Sequence, residues 1–559
     1  MKRRRAVGTP RFAAYLTARE TGGAKQGLKP LPIPAPSRWD GKTATVEFSN
    51  FAQFIAFRST SVLMPKRAAI HTLGCRLNQA ESALLAGRLQ ALGFELVDWG
   101  APAELLVLNS CTVTGAAARK TRNLLRAARR RFPDAWLVLT GCEAQLAAAA
   151  AWAQAAGANA VVPNSLKTQP ETWLPPAVGA TLLEKGAPQT PSQNFCSFLR
   201  IPQAARGRLA MIGAVELPAE SAKGTNRFDG GFGNRLSSKG GSQAAGDATG
   251  GLALFREAGV GLFRDHTRAN LKAQDGCDCH CAYCIIPQVR GGPRSRELAD
   301  AVRETRELVA RGHREIVVTG VNLGLYRDGA AGLPELLAAL AALPGDFRLR
   351  LSSLEPGPAV APVLELMRRQ PDRFCRFLHL PLQYGYDAIL RAMGRPYTVA
   401  EFATLAEQAV TAVPGLCLGT DVIAGLPGET DAVFDECLAF VQRLPLAYLH
   451  VFPFSPRPGT RAAAMPGRPP ERLAGERCRR LTLAGDRLAA AFRQSQLGRR
   501  ATVLVEEQRD AAGHRVGLSD NYLRVSIEGG PGDPAPGTWC EVRLAEATPD
   551  GTLQGRCGL

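Results

Sequence analysis

At 559 residues the chain is too long for one ordinary hydrophobic core, and its length suggests three or four domains. A formal charge of +18 favours a polyanionic partner, because Lys and Arg that neutralise phosphates release counterions. Nucleic acid leads over a membrane, since no apolar run reaches the ~18 to 20 residues of a spanning helix.

Residues 1–64 mix Pro, Gly and basic residues without a period and read as a disordered extension, with Met64 as an alternative start. The basic run Met1-Lys2-Arg3-Arg4-Arg5 has no adequate apolar stretch behind it, so secretion is not expected. In residues 65–168 strand and helix patterns alternate three times: Ala68–Leu73 before a helix from Gln79 to Leu92, Leu105–Leu108 before Ala116–Arg131, and Trp136–Leu139 before an Ala-rich helix. Such alternation implies a parallel α/β domain. Periodicity fails over 169–268, where Gly224–Gly251 is rich in Gly, Ser and Asn, and this segment reads as a disordered linker or insertion. About six further strand and helix units fill 269–494, with the clearest strands at Glu315–Thr319, Phe347–Leu351, Phe377–Leu380, Leu416–Ile423 and Tyr448–Phe452; they predict a partial (β/α) barrel. Short strands and turns over 495–559 predict a small β-barrel.

Fourteen cysteines in so long a chain suggest metal chemistry in a reducing cytoplasm more than disulfides. Cys277, Cys281 and Cys284 form a C-x3-C-x2-C triplet. Three thiolates leave one iron of a four-iron cubane open, and that iron can chelate the amino and carboxylate groups of a methionine moiety. A zinc knuckle is the alternative, although zinc sites usually pair their ligands and add a fourth. Cys279 has no assigned role. Cys75, Cys111 and Cys142 each follow a predicted strand by a few residues, and a parallel sheet brings such ends to one edge. Buried structural cysteine is the plainer reading of any one of them. Three at equivalent positions favour a second three-thiolate site. The helix after Cys111 carries Arg119, Lys120, Arg122, Arg126, Arg129, Arg130 and Arg131 with no acidic residue, as a solvated face or as phosphate contacts.

Asp275-Gly276-Cys277 through Cys284-Ile285-Ile286-Pro287, then Arg290-Gly291 and Arg294-Ser295-Arg296, resembles the radical SAM core of the methylthiotransferase family. Thr319–Asn322, Ser352–Pro356 and Asp421–Thr430 match the same core. The resemblance implies that the cysteine loop binds a [4Fe-4S] cluster and S-adenosylmethionine, with Ile285, Gly425, Pro427 and Gly428 along the S-adenosylmethionine. By its own residues, Gly425–Gly428 also suits a strand-to-helix turn with Thr430 as helix cap. His71–Gln79, Asn109–Thr114 and Arg119–Arg122 resemble the branch that acts on threonylcarbamoyladenosine in tRNA.

This resemblance implies a second [4Fe-4S] cluster on Cys75, Cys111 and Cys142 that holds the transferred sulfur, methylated by a second S-adenosylmethionine. The Cys277 cluster would generate a 5′-deoxyadenosyl radical for chemistry at carbon 2 of N6-threonylcarbamoyladenosine beside the anticodon. The implied partners are a tRNA anticodon stem-loop, an electron donor and a sulfur donor, with the enzyme a cytoplasmic monomer. Alternatives are the isopentenyladenosine and ribosomal-protein branches, or a noncatalytic metal-containing RNA-binding protein. The tail resembles the RNA-binding TRAM barrel through Val503–Glu506 and Gly517–Val525. Two departures stand out. Leu378–Gln383 continues as Tyr384-Gly385-Tyr386 where the family has Ser-Gly-Ser, and 169–268, including Cys196, has no family counterpart.

Overall fold

The computed structural model describes residues 66–175, 210–211, 253–263, 267–529 and 532–557. The expectations for 1–64, for a start at Met64, for the Gly-rich run and for Cys196 lie outside these residues.

The apolar runs of the first domain become central strands of a parallel sheet, whose two covered faces favour such continuous hydrophobicity. Strands β1 (Arg67–Thr72), β2 (Glu95–Leu96), β3 (Leu105–Ser110), β4 (Trp136–Gly141), β5 (Ala160–Val161) and β6 (Ala210–Met211) lie in the order β2-β1-β3-β4-β5-β6, all parallel. Every residue of β3 is buried. Helix α1 (Arg76–Ala91) follows β1, and α2 (Gly115–Arg131) follows β3, capped by the Thr114 side chain accepting from the Ala117 amide. The Ala-rich stretch is less helical than expected. A single 3-10 turn at Cys142–Gln145 precedes the short α3 (Ala149–Ala155).

The expected linker is drawn too wide at both ends. Trp173 is buried beside Phe94 and Val162, and β7 (Leu254–Phe255) runs parallel to residues 295–296 of the next domain. Val260 joins that domain's core. Isolated apolar anchors of this kind have no period, which is why the sequence pattern misses them.

In the second domain β8 (Arg268–Lys272), β9 (Gln274–Asp275) and β10 (Arg294–Arg296) are followed by β11 (Glu315–Thr319), a small hairpin of β12 (Arg327–Asp328) and β13 (Ala331–Gly332), then β14 (Arg348–Leu351), β15 (Phe377–His379), β16 (Cys417–Ala424) and β17 (Tyr448–Pro453). Two parallel triplets, β8-β11-β14 and β15-β16-β17, join through a bridge from Leu349 to Phe374, giving the expected open barrel of six strands. Ile316, Val318, Leu349 and Leu351 turn outward into the core beneath the surrounding helices. The alternate residues Arg268, Asn270, Glu315, Val317 and Arg350 therefore line the lumen, part of a cavity of about 1080 Å³. Tyr384 is wholly buried in the barrel core, and Tyr386 packs against it at the start of the helix Asp387–Ala392. The two aromatic side chains thus fill space.

The last domain is a closed five-stranded barrel, β18 (Arg500–Arg509), β19 (Arg515–Ser519), β20 (Arg524–Glu528), β21 (Trp539–Ala547) and β22 (Leu553–Cys557), in the order β18-β19-β20-β22-β21. Its Ser519–Tyr522 corner caps the larger barrel: Arg350 donates to the carbonyls of Ser519 at 3.2 Å and Asp520 at 3.1 Å, and Arg376 pairs with the Asp520 carboxylate at 2.6 Å. Among the described residues no helix is long and apolar enough to cross a membrane.

Candidate active site

The register of the N-terminal sheet sets Thr72 beside Asn109 and Ser110 beside Gly141, so the residues just beyond β1, β3 and β4 share one edge. Cys75, Cys111 and Cys142 all stand there. Cys75 is exposed at the start of α1, whereas Cys111 and Cys142 are buried. Two glycines make the approach possible. Gly74 has φ +97°, and a Cβ on it would lie 2.8 Å from the Cys111 Cβ; Gly141 has φ +89°, and a Cβ there would lie 2.4 Å from the Ser110 nitrogen. Asn78 braces the loops by donating to the carbonyls of Leu73 at 2.7 Å and Ser110 at 2.8 Å, and Asn109 donates to the Asn78 carbonyl at 2.9 Å. Burial pushes the Cys111 thiol up to about 11, with Cys142 and Cys75 adding to it. Burial also raises Cys142, while Arg290 and Lys167 pull it back.

The second triplet lies in the loop after β9. Gly276, at φ +71°, lets the chain pass so close to Gly292 that a Cβ would sit 1.9 Å from its carbonyl oxygen. The Cys277 amide donates to the Gly291 carbonyl at 3.0 Å, and that of Cys284 to the Cys281 carbonyl at 3.0 Å. Arg395 donates to the Cys281 sulfur at 3.3 Å. Hydrogen bonding from Cys279 lowers the Cys277 thiol to about 6, and burial pushes Cys284 up to about 12. Cys279 thus touches Cys277, and its own sulfur accepts from Asn322 at 3.5 Å.

In this loop the ligand atoms of Cys277, Asp278 and Cys279 lie within 4.8 Å of one another; among the described residues neither cysteine triplet is gathered that tightly. Each triplet supplies three free thiols, the donor type and number that leave one iron of a four-iron cubane open, so in their chemistry the donor sets fit iron–sulfur clusters. His379 and His450 form another close set, both meeting the Asp421 carboxylate, at 3.2 and 3.3 Å, on adjoining strands.

The two cysteine loops meet. Cys142 belongs to one apolar cluster with Ile285 and Val289, so the segment just after Cys284 packs into the same patch as a member of the other triplet. Beneath this seam runs a buried ionic network. Arg290 donates to Glu81 at 3.0 Å, Asp275 at 2.8 Å and Asn78 at 2.6 Å; Lys272 pairs with Glu81, Glu257 and Asp275; Lys167 pairs with Glu81. Burial alone would raise the Glu81 carboxyl, but Arg290, Lys167 and Lys272 hold it well below the usual carboxylate range. Burial opposes and Lys272 and Arg290 outweigh it at Asp275, which is lowered to about 2. Farther along the seam Arg457 donates to the Thr112 hydroxyl at 2.7 Å.

The turn Gly425–Gly428 leaves the C-terminal end of β16, with the Gly425 amide donating to Glu429 at 2.8 Å and the Gly428 amide to the Gly467 carbonyl at 3.0 Å. Thr430 caps the helix Asp431–Arg443 as its residue type suggests. The basic face of α2 is narrower than expected. Arg129 turns inward onto the Gly157 carbonyl at 2.9 Å, and Arg122 pairs with Glu143 at 3.3 Å, leaving Arg119, Lys120, Arg126, Arg130 and Arg131 outward. The network residues Glu81, Lys167 and Lys272 are missed by sequence reasoning. They are ordinary charged residues whose burial no local pattern announces, whereas Asn78 and Arg290 at least lie within motif stretches.

Residues 271–441 match the Radical SAM superfamily, and residues 67–163 match the Uncharacterized protein family UPF0004. The threonylcarbamoyladenosine tRNA methylthiotransferase MtaB of Bacillus subtilis (strain 168) is 31% identical over 82% of this chain and 90% of its own length. Its counterpart in Thermotoga maritima is 31% identical over 88% and 98%. The tRNA-2-methylthio-N(6)-dimethylallyladenosine synthase of Zymomonas mobilis is 30% identical over 87% and 95%. With these relatives matched along nearly their whole length, the chain belongs to the radical SAM methylthiotransferase family.

Proposed function

We propose that this enzyme acts on tRNA, exchanging the hydrogen on carbon 2 of N6-threonylcarbamoyladenosine beside the anticodon for a methylthio group. The observation that carries the reading is the apolar cluster shared by Cys142, Ile285 and Val289, because a single reaction space served by both triplets requires the two cysteine loops to pack together. Relatives named for threonylcarbamoyladenosine, similar along most of the chain, support the choice of substrate.

Cys277, Cys281 and Cys284 would hold one [4Fe-4S] cluster and Cys75, Cys111 and Cys142 a second, with S-adenosylmethionine lying along Ile285, Gly425, Pro427 and Gly428. Bound there, these groups supply the radical and the sulfur that an unactivated aromatic C–H bond demands. The chain's own residues do the rest. Cys111 and Cys142, raised by burial, must give up their protons on binding metal, so loading of that site favours higher pH. Arg290 and Lys167 offset the thiolate charge that results. Arg395, at the Cys281 sulfur, tunes the other site by hydrogen bonding. Arg119, Lys120, Arg126 and Arg130, with the C-terminal barrel as a TRAM-like module, would grip the RNA backbone. The working enzyme is read as a cytoplasmic monomer served by an electron donor and a sulfur donor.

The test is the nucleoside profile of tRNA from a strain lacking the gene. Loss of 2-methylthio-N6-threonylcarbamoyladenosine, with its unthiolated precursor accumulating, is expected. Loss of the dimethylallyl 2-methylthio nucleoside instead would move the assignment to the branch of the Zymomonas relative, and an unchanged profile would reject a tRNA substrate.

A further inference from the structure

Four arginines line the large cavity between the N-terminal domain, the lumen and the C-terminal barrel: Arg76, Arg268, Arg311 and Arg350. Three are matched by carboxylates. Arg268 pairs with Glu506 at 2.7 Å, Arg350 with Glu315 at 2.6 Å and Arg311 with Glu307 at 3.9 Å. Among the described residues Arg76 has no carboxylate within ion-pair distance. Its guanidinium instead donates to the Tyr522 hydroxyl at 3.1 Å and lies 5.9 Å from the centre of that ring. Tyr522 is itself wedged between Phe377 at 4.6 Å and Tyr448 at 6.5 Å, centre to centre, so the arginine is steered across the cavity by a fixed aromatic support. A guanidinium held in a walled cavity by a neutral partner keeps its charge and most of its donors for an incoming anion.

We infer that Arg76 receives the carboxylate of the amino-acid arm on the modified adenosine, and so selects a threonylcarbamoyl substrate over an apolar alkyl one. The inference rests on the functional reading above and deepens it. Carbon 2 and the N6 substituent occupy the same edge of the purine, so a receptor for the arm must stand close to the residues that present the sulfur. Arg76 is the direct neighbour of Cys75. A dimethylallyl arm offers nothing to a cation and leaves it unpaired in the cavity, which turns one contact into discrimination between substrates.

The experiment uses the reconstituted holoenzyme and three anticodon stem-loop RNAs, bearing N6-threonylcarbamoyladenosine, its threonyl methyl ester or dimethylallyladenosine. Wild type is expected to prefer the free acid. Arg76→Gln should raise KM for the acid roughly 10- to 100-fold while leaving the ester and dimethylallyl RNAs unchanged, as loss of a charge-assisted hydrogen bond demands. Arg76→Lys should recover part of the loss. Because Arg76 adjoins Cys75, iron content is measured in parallel. Should Arg76→Gln lose iron, Tyr522→Phe, remote in sequence from the cysteines, decides instead, with an expected several-fold rise in KM for the acid alone. Equal effects on acid and ester would mean that Arg76 holds a backbone phosphate and would overturn the inference, as would no effect on either. A wild-type enzyme that modifies only the dimethylallyl RNA overturns the functional reading, and the inference with it.

Discussion

The two cysteine sites reach similar donor sets by opposite routes. At the barrel mouth Cys277, Cys281 and Cys284 lie within one short loop, whose path is set by its own turns, with Gly276 against Gly292 and Cys277 bonded to Gly291. At the sheet edge Cys75, Cys111 and Cys142 come from three strand ends and converge only because β1, β3 and β4 pair in register. The three cysteines of the mouth loop are close in sequence, and Ala282 between them is tied to Met393 at 2.8 Å. The edge site exists only when the domain is folded, and its buried thiols are the more protected for it.

The strongest way to break this comparison is to remove one ligand from each site. Cys284→Ala and Cys142→Ala should each abolish methylthio transfer, and each should lower the iron of the reconstituted enzyme from about eight to about four atoms per chain. Spectroscopy would then show which cluster survives. If the edge variant also emptied the mouth, the sites would not be independent.

Next in size is the shared ionic core. Glu81→Gln leaves Arg290, Lys167 and Lys272 without their common counter-charge and should cost about 3–5 kcal/mol in denaturant unfolding. A smaller effect separates the two kinds of glycine. Gly141→Ala forces a positive-φ residue against Ser110 and should cost ~1–3 kcal/mol and loosen the edge site. Gly292→Ala has open space around its Cβ and should fall within about 0.5 kcal/mol of wild type. The smallest loss expected to be measurable is acid sensitivity. Asp275 is lowered to about 2, so its stabilisation is complete above the ordinary carboxylate value and drains away as pH falls through about 2. Urea midpoints should therefore drop between pH 5 and pH 3 by a margin worth about 1 kcal/mol from this group, and Asp275→Asn should flatten that slope.

The parts legible in the sequence are those with a local or periodic signature. Apolar runs ending in Gly-Cys or Ser-Cys announce the sheet edge, the C-x3-C-x2-C spacing announces the mouth, and Thr430 announces its helix. What stayed hidden depends on tertiary burial. Nothing local distinguishes Lys167, which is fully enclosed, from Lys120, which is exposed. Nor does the sequence show that Arg129 folds back onto Gly157 while Arg126 on the same helix faces outward. Trp173 and Val260 were hidden for a related reason, since single anchors inside an aperiodic stretch carry no pattern.

The position of α1 limits how far this chain can be treated as interchangeable parts. The helix begins just after Cys75, and its Glu81 pairs with Lys272 of β8 and Arg290 beyond the cysteine loop, so one element of the first domain is built into the ionic core of the second. Excising the barrel alone would leave Asp275 to balance both of those cations without Glu81 and would bare β8, an outermost strand of its sheet. Shortened versions should therefore aggregate or misfold, and gene fusions or domain exchanges that preserve activity would have to carry the first two domains together as one inheritable unit.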